Sequence, residues 1–181
     1  MSLKFALLGF LVEQPMTGYD LRKAMEASVG HFWTADQAQI YRTLSGLVDE
    51  GLVTVDVVEQ ETRPNRRVHR ICPAGEDALD AWLASPLEPV PVREPFLMRT
   101  FFGGRLKVEA IEHLLTARID EATQLVSLLS AIRQQQSTPT SLSMHLRIAT
   151  LDNGIAHGQA EIDWAKTVLN GLGAWHGTDL T

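Results

Sequence analysis

One cysteine, Cys72, stands in a chain of 181 residues. No intrachain disulfide can form, and a cytoplasmic setting is the natural expectation. Long apolar runs are also missing, since no stretch approaches the roughly 18 uninterrupted apolar residues that a membrane helix needs. The apolar start MSLKFALLGFLVEQP is short, runs into Glu13, Gln14 and Pro15, and lacks a small-residue cleavage site, so no signal peptide is expected. His31, His69, His113, His145, His157 and His176 show neither HExxH nor Cys-His ligand spacing. His113 follows Glu109 by four residues and Glu161 follows His157 by four, spacings that more often mark solvated pairs than metal sites. GxGxxG, P-loop and GxSxG motifs are absent as well. The expectation is a protein that is not an enzyme and carries no cofactor and no metal.

Positive charge is scarce too. The net charge is −6, and residues 1–90 hold eight Lys/Arg against thirteen Asp/Glu. That balance argues against a non-specific polyanion binder. Distribution matters more than the total, because physiological salt confines each charge to about 8–10 Å. Between Arg63 and Arg70 the chain places Arg63, Arg66, Arg67 and Arg70 with no acid among them.

What is present is an ordinary globular composition, 45% hydrophobic and 21% charged, organised around Thr34 to Cys72. Thr34 and Gln37, three apart, read as a capping box that opens a helix. Ile40, Leu44, Leu47 and Val48 recur at helical spacing and form its apolar face. The opposite face is assigned Gln39, Arg42, Thr43, Gly46 and Ala35, small or polar residues suited to reading base edges or phosphates. Gly51 is placed to stop the helix. LVTVDVV and RVHRIC then read as two strands joined by a Pro-Asn turn, a hairpin with an arginine-rich tip. Helix followed by basic hairpin describes a winged helix, and the function it points to is DNA binding.

Upstream, Leu3, Leu7 and Phe10 or Leu11 give a first amphipathic helix ending before Pro15. Met16-Thr17-Gly18 reads as a break, with Thr17 capping a second helix and Asp20 well placed in its first turn. Leu21, Ala24 or Met25, and Val29 form its apolar face, and Phe32 with Trp33 reads as a hydrophobic plug before the third helix. Downstream, Pro73 opens a helix carrying Leu79, Trp82 and Leu83. In the strand before it, Cys72 reads as a small core hydrophobe rather than a redox sensor. Four of the eight prolines, Pro86, Pro89, Pro91 and Pro95, fall within ten residues, an extended linker. Beyond it no strand is evident. A short helix FLMRTFF ends at Gly103-Gly104, and long helices run from Val108 to about Arg133 and from Leu142 to about Asn170, long enough for coiled-coil or bundle packing. Gly154 and Gly158 read equally as a close-approach site or a kink.

The stretches TGYDLRKAME, QIYRTLSGLVDEGLV and TRPNRRVHRICPAGEDAL resemble the N-terminal domain of the PadR family of transcriptional regulators. The anchors are Gly18, Tyr19, Asp20, Ile40, Tyr41, Arg63 and Pro64. Two departures stand out: Arg42 replaces the proline many members carry after Ile-Tyr, and Val68, His69 and Pro73 stand where many have an aromatic pair and a threonine. The second half, with FLMRTFF and GIAHGQAEIDWA, is similar to the Vir-like helical domain of longer members. The resemblance implies a mainly α fold with a small β-hairpin: a winged helix-turn-helix over 1–85, a linker over 86–95 and a helical dimerisation domain over 96–181. It implies a homodimeric regulator, a repressor of its own or a neighbouring promoter, on a pseudo-palindromic double-stranded DNA operator, with a small aromatic effector as a further partner and no membrane. The expected DNA contacts are Gln37, Gln39, Tyr41, Arg42 and Thr43 on the helix and Arg63, Asn65, Arg66 and Arg67 on the wing. Trp82, Phe101, Phe102 and Trp164 read as core or dimer-seam residues before pocket residues. The alternative, which the acidic balance favours, is a protein-interaction module built on a winged helix that binds no DNA.

Overall fold

The computed structural model describes residues 2–59, 65–87, 89 and 91–175. The chain divides into two compact units, Met1–Pro89 and Val90–Thr181.

In the first unit, α1 (Ser2–Glu13) is the centre of the core. Leu7, Leu8 and Leu11 are buried, while Leu3, Phe5, Ala6 and Phe10 are packed partly against the same core. The helix is therefore apolar on most sides instead of amphipathic. α2, α3, α4 and β3 all pack on it, and a helix covered from several directions has little face left for water. α2 (Gly18–Ser28) opens with the expected Thr17 cap, and the structure makes it a reciprocal capping box: Thr17 Oγ1 accepts the Asp20 N–H at 3.1 Å, and the Asp20 carboxylate accepts the Thr17 N–H at 3.4 Å. Leu21 and Met25 face the core. Trp33 packs against this core, but Phe32 is exposed, so only half of the expected plug forms.

α3 (Gln37–Asp49) starts two residues later than the Thr34–Gln37 box would have it. Its cap is Asp36, whose carboxylate accepts the Gln39 N–H at 2.7 Å, while Gln39 Oε1 accepts the Asp36 N–H at 3.4 Å. Both pairs have the right spacing. Asp is a better cap than Thr, and the later start lets Ala35 pack against the core. Ile40, Leu44 and Leu47 are almost completely buried, each contributing about 1.5–3 kcal/mol. Gly51, with φ 71°, ends the segment in the left-handed region that only glycine enters cheaply.

The expected hairpin is present as β2 (Val53–Val58) and β3 (Arg66–Ile71), paired antiparallel from Val53↔Ile71 to Val58↔Arg66. It is one strand short of the observed sheet. Met16–Thr17, read from sequence as a break, forms β1 and pairs with His69 and Val68, giving the order β1-β3-β2. The residue that caps α2 has extended backbone, φ −78° and ψ 162°, so Thr17 serves as both cap and strand. His69, in the central strand, is 4% exposed. Its Nδ1 has no hydrogen-bond partner among the described residues, and burial, opposed by a hydrogen bond to the Met16 backbone and aided by Arg67, pushes its pKa down. Cys72 lies past the strand, at the N-cap of α4 (Pro73–Leu83), with Pro73 in the first turn as expected. Trp82 of α4 stacks on Phe5 of α1, with ring centroids 4.8 Å apart and planes 4° from parallel.

The second unit holds α5 (Pro95–Phe101), a 3₁₀ turn (Gly103–Arg105), α6 (Val108–Gln134) and α7 (Leu142–Gly171), followed by a 3₁₀ turn at Leu172–Trp175. α6 and α7 pack as an antiparallel hairpin. Leu115, Ala122 and Leu129 are buried at seven-residue intervals, facing Ile148, Leu151, Gly158, Ile162 and Ala165. This is coiled-coil spacing. Arg118 Nε donates to Glu161 at 2.8 Å and Arg133 Nε to Asp152 at 2.9 Å, which pins the register. Gly158 sits where a Cβ would come within 2.5 Å of Val126, so the close-approach reading holds for that glycine.

Asp36→Ala should destabilise the protein by about 1 kcal/mol, while Thr34→Ala should have little effect, as read by denaturant titration. A second expectation concerns pH. The folded pKa of His69 lies below its ordinary 6.5, so the unfolded chain takes up a proton first on acidification. Stability is full above about pH 6.5 and declines as pH falls toward the folded pKa. Thermal melts of His69→Gln should show a flatter profile across that window than the wild type; parallel profiles would contradict the assignment.

Candidate nucleic-acid interface

Because Ile40, Leu44 and Leu47 are buried, geometry decides which residues of α3 reach solvent. Gln37, Ala38, Gln39, Tyr41, Arg42, Ser45 and Asp49 are exposed, whereas Thr43 and Gly46 are half-buried. The exposed stripe is therefore rotated from the one expected, which included Thr43, Gly46 and Ala35 with Gln39 and Arg42. Ser45 and Ala38 were missed. Their signal was available, because positions three and seven residues from Arg42 or Ser45 share a face at 100° per residue.

Within the stripe the side chains differ in freedom. Gln39 is turned back toward Asp36 as part of the capping box. Tyr41 is 45% exposed and lies against the first residue of α2: a Cβ on Gly18 would stand 2.6 Å from Tyr41 Cε1. That contact explains why the two positions belong together, since the tyrosine ring occupies the space a side chain at Gly18 would need. Arg42 has no ion pair among the described residues.

The wing distributes its arginines unevenly. Alternation along β3 puts Arg66 and Arg70 on one face and Arg67 on the other, with His69. Arg66 Nη2 donates to Asp20 Oδ2 at 3.3 Å, and Arg70 lies 4.0 Å from the Asp56 carboxylate. Arg67 is exposed and has no ion pair among the described residues. Asn65 is exposed at the start of the same arm, and Arg63 with Pro64 lies outside the described residues. Hydrogen bonds from Thr17, with the Arg66 guanidinium beside it, hold the Asp20 carboxyl below its ordinary value against the opposing effect of burial.

α2 adds cations that the sequence reading did not assign. Tyr19 is 46% exposed, and its ring sits under Lys23 Nζ at 4.9 Å and the Arg22 guanidinium at 5.9 Å. The aromatic-plus-cation pair at i and i+4 was the clue. Among the described residues no cluster of three or more His, Cys, Asp or Glu is placed to hold a metal, and no helix is long and apolar enough to cross a membrane.

Of the aromatic residues considered for a pocket, Trp82 belongs to the first unit, where it stacks on Phe5. Phe101 and Phe102, 80% and 60% exposed, meet edge to face in the second unit. Trp164 meets Phe96 edge to face at 6.1 Å, and Arg118 lies over the Phe96 ring at 5.2 Å.

A helix-turn-helix whose last helix bears a solvated polar stripe, followed by an antiparallel wing, defines a winged-helix transcriptional regulator. Residues 7–81 match the model of the transcriptional regulator PadR-like family, and residues 92–173 match that of the virulence activator alpha C-terminal domain. The chain belongs to the PadR-like family, whose members are regulators and not enzymes. It is 31% identical to a probable transcriptional regulator of Mycobacterium tuberculosis, over 95% of this chain and 98% of that one. It is 32% identical to the negative transcriptional regulator PadR of Bacillus subtilis, over 92% and 95%. The structure of the Bacillus subtilis PadR in complex with operator DNA superimposes with a TM-score of 0.84 at 24% identity, over 95% of this chain and 99% of that one. The same regulator has been solved with p-coumaric acid. The virulence activator AphA of Vibrio cholerae superimposes with a TM-score of 0.76 at 30% identity, over 96% and 99%.

The Gly18–Tyr41 contact is testable. Gly18→Ala should cost about 1–3 kcal/mol in a chemical melt, and much less in a Tyr41→Ala background, where the ring is gone. Equal costs in both backgrounds would mean that the ring is not what Gly18 accommodates.

Proposed function

We propose that the protein is a homodimeric, sequence-specific DNA-binding regulator that represses its own or a neighbouring promoter. The observation that carries this is the solvated stripe of α3, on which Arg42 has no ion pair among the described residues, together with an exposed Arg67 on the wing. Lying in the major groove, α3 presents Arg42, Gln37 and Ser45 to base edges, with Gln39 and Thr43 at the margins and Tyr41 toward the backbone. Arg67 and Asn65 reach a phosphate or the adjacent minor groove, where arginine is favoured. Lys23 and Arg22, at the start of the helix-turn-helix, add backbone contacts. The acidic total keeps non-specific binding weak, which leaves specificity to these few contacts.

Dimerisation belongs to the second unit. Leu97, Met98, Phe101, Leu128, Leu142 and Leu146 leave apolar surface uncovered there, and a seam with a second copy would bury it. Two copies place two recognition helices on a pseudo-palindromic site, with half-sites about 10 bp or a multiple apart. An aromatic effector, of the kind bound by the Bacillus subtilis relative, would relieve repression by changing the angle between the two heads, because both helices must fit at once. The two relatives whose names state a direction differ, one negative regulator and one activator; the repressor reading rests on the one with the higher identity.

Fluorescence anisotropy on DNA tiled upstream of the protein's own gene, at two salt concentrations with scrambled competitor, tests the reading. One tile should bind saturably and resist competitor. Arg42→Ala should cost about 1–3 kcal/mol and relax base preference, whereas Arg67→Ala should weaken all sequences alike and reduce the salt slope by about 1. A well-folded dimer that binds no tile would favour the protein-interaction reading.

A further inference from the structure

The wing's stem is poorly supported by the sheet. β1 covers only Val68 and His69 of β3, so Arg66 and Arg67 extend past it as half of a two-stranded ribbon. On the partner strand Val57 and Val58 are 58% and 48% exposed, which means that little packs beneath the ribbon there. Two strands alone hold their direction weakly. A ribbon that must meet DNA at a set angle needs an outrigger.

Asp20 is in the right place to be one. Its Oδ2 accepts Thr17 Oγ1 at 2.7 Å, the Thr17 N–H at 3.4 Å and Arg66 Nη2 at 3.3 Å. The second, with the Asp20 N–H on Thr17 Oγ1, makes the α2 capping box, and the first two bonds would satisfy a helix start alone. The third spans 46 residues of sequence and ties the first residue of β3 to the first turn of α2. We infer that Asp20 is a positioning residue for DNA binding: it holds Arg66 against α2, and Arg66 so held aims the wing that carries Arg67. This rests on the DNA-binding reading above. It divides the two neighbouring arginines by role, with Arg66 a strut and Arg67 a phosphate ligand on the opposite face. The depressed pKa of Asp20 keeps the strut charged throughout the neutral range. With both side chains about half exposed, the bridge contributes little to overall stability, so its effect should be read in binding geometry rather than in the melt.

The sign of one substitution separates this role from simple electrostatics. Asp20→Asn keeps an oxygen acceptor for the Thr17 hydroxyl and removes the charge that holds Arg66. Removing an acid near DNA should by itself tighten binding. The strut predicts the reverse: operator affinity should fall roughly three- to tenfold. Asp20→Asn combined with Arg66→Ala should be no worse than Arg66→Ala alone, and Asp20→Glu should restore binding. Because the unbraced wing still makes its Arg67 phosphate contact once bound and loses affinity only through the cost of ordering, neither Asp20→Asn nor Arg66→Ala should change the salt slope. In the free protein, amide hydrogen exchange at Arg66 to Val68 should quicken in Asp20→Asn while α3 is unaffected. Tighter or unchanged binding by Asp20→Asn, additive losses in the double variant, or a salt slope reduced by about one in Arg66→Ala would each overturn the inference. These outcomes presuppose a wild type that binds its operator. A wild type that binds no tile would instead overturn the DNA-binding reading, and this inference with it.

Discussion

The burial of one side of α3 is the constraint on which the rest of the first unit depends. Ile40, Leu44 and Leu47 lie in the same core as Leu7, Leu8 and Leu11 of α1, and none is more than 2% exposed. A helix anchored by residues at those spacings cannot rotate without exposing a leucine or isoleucine, at a cost of about 1.5–3 kcal/mol. Everything α3 shows to solvent follows from that anchoring. The stripe through Ala38, Arg42 and Ser45 is the geometrical complement of the buried one, and the half-buried state of Thr43 and Gly46 is its border.

The sheet couples this recognition unit to the wing. β3 is the central strand and touches both other strands, so it carries the load between the short β1 and the long β2. Burial of His69 in that strand is a cost accepted at the centre of the sheet, since its Nδ1 has no partner among the described residues. The benefit is continuity: the strand that leaves the core at His69 is the strand that holds Arg67 and Arg66. Thr17 sits at the crossing point, as the last residue of β1 and the cap of α2, with Asp20 one turn away. The start of α2, the edge of the sheet and the stem of the wing are thus bonded through three side chains.

The second unit follows a simpler rule. The heptad spacing of Leu115, Ala122 and Leu129 packs α6 against one side of α7, and small residues such as Gly158 and Ala165 let the helices approach closely. A two-helix hairpin cannot cover all of its apolar surface, and the exposed leucines and phenylalanines are what remains. Arg118 bridges the two helices, shared between Glu161 and the ring of Phe96. Its pKa is raised chiefly by the hydrogen bond to Glu161.

The local features were legible in the amino-acid order because they act over a few residues. The Thr17–Asp20 cap, the Gly51 stop, Pro73 in the first turn of α4, the β2–β3 hairpin and the two long helices all rest on interactions within one or two turns. The Asp36 cap was missed where two equally spaced boxes competed, and the better capping by Asp together with the packing of Ala35 separates them. β1 was unreadable because two residues carry no period, and their partners lie about fifty positions away. The same reason hid the division of the wing arginines: clustered in sequence, they are split across two faces by strand alternation and then sorted by distant carboxylates. Periodicity and turn chemistry are local and can be read along the chain; which face is solvated, and which charge is already taken, depends on contacts between residues that only the folded molecule brings together.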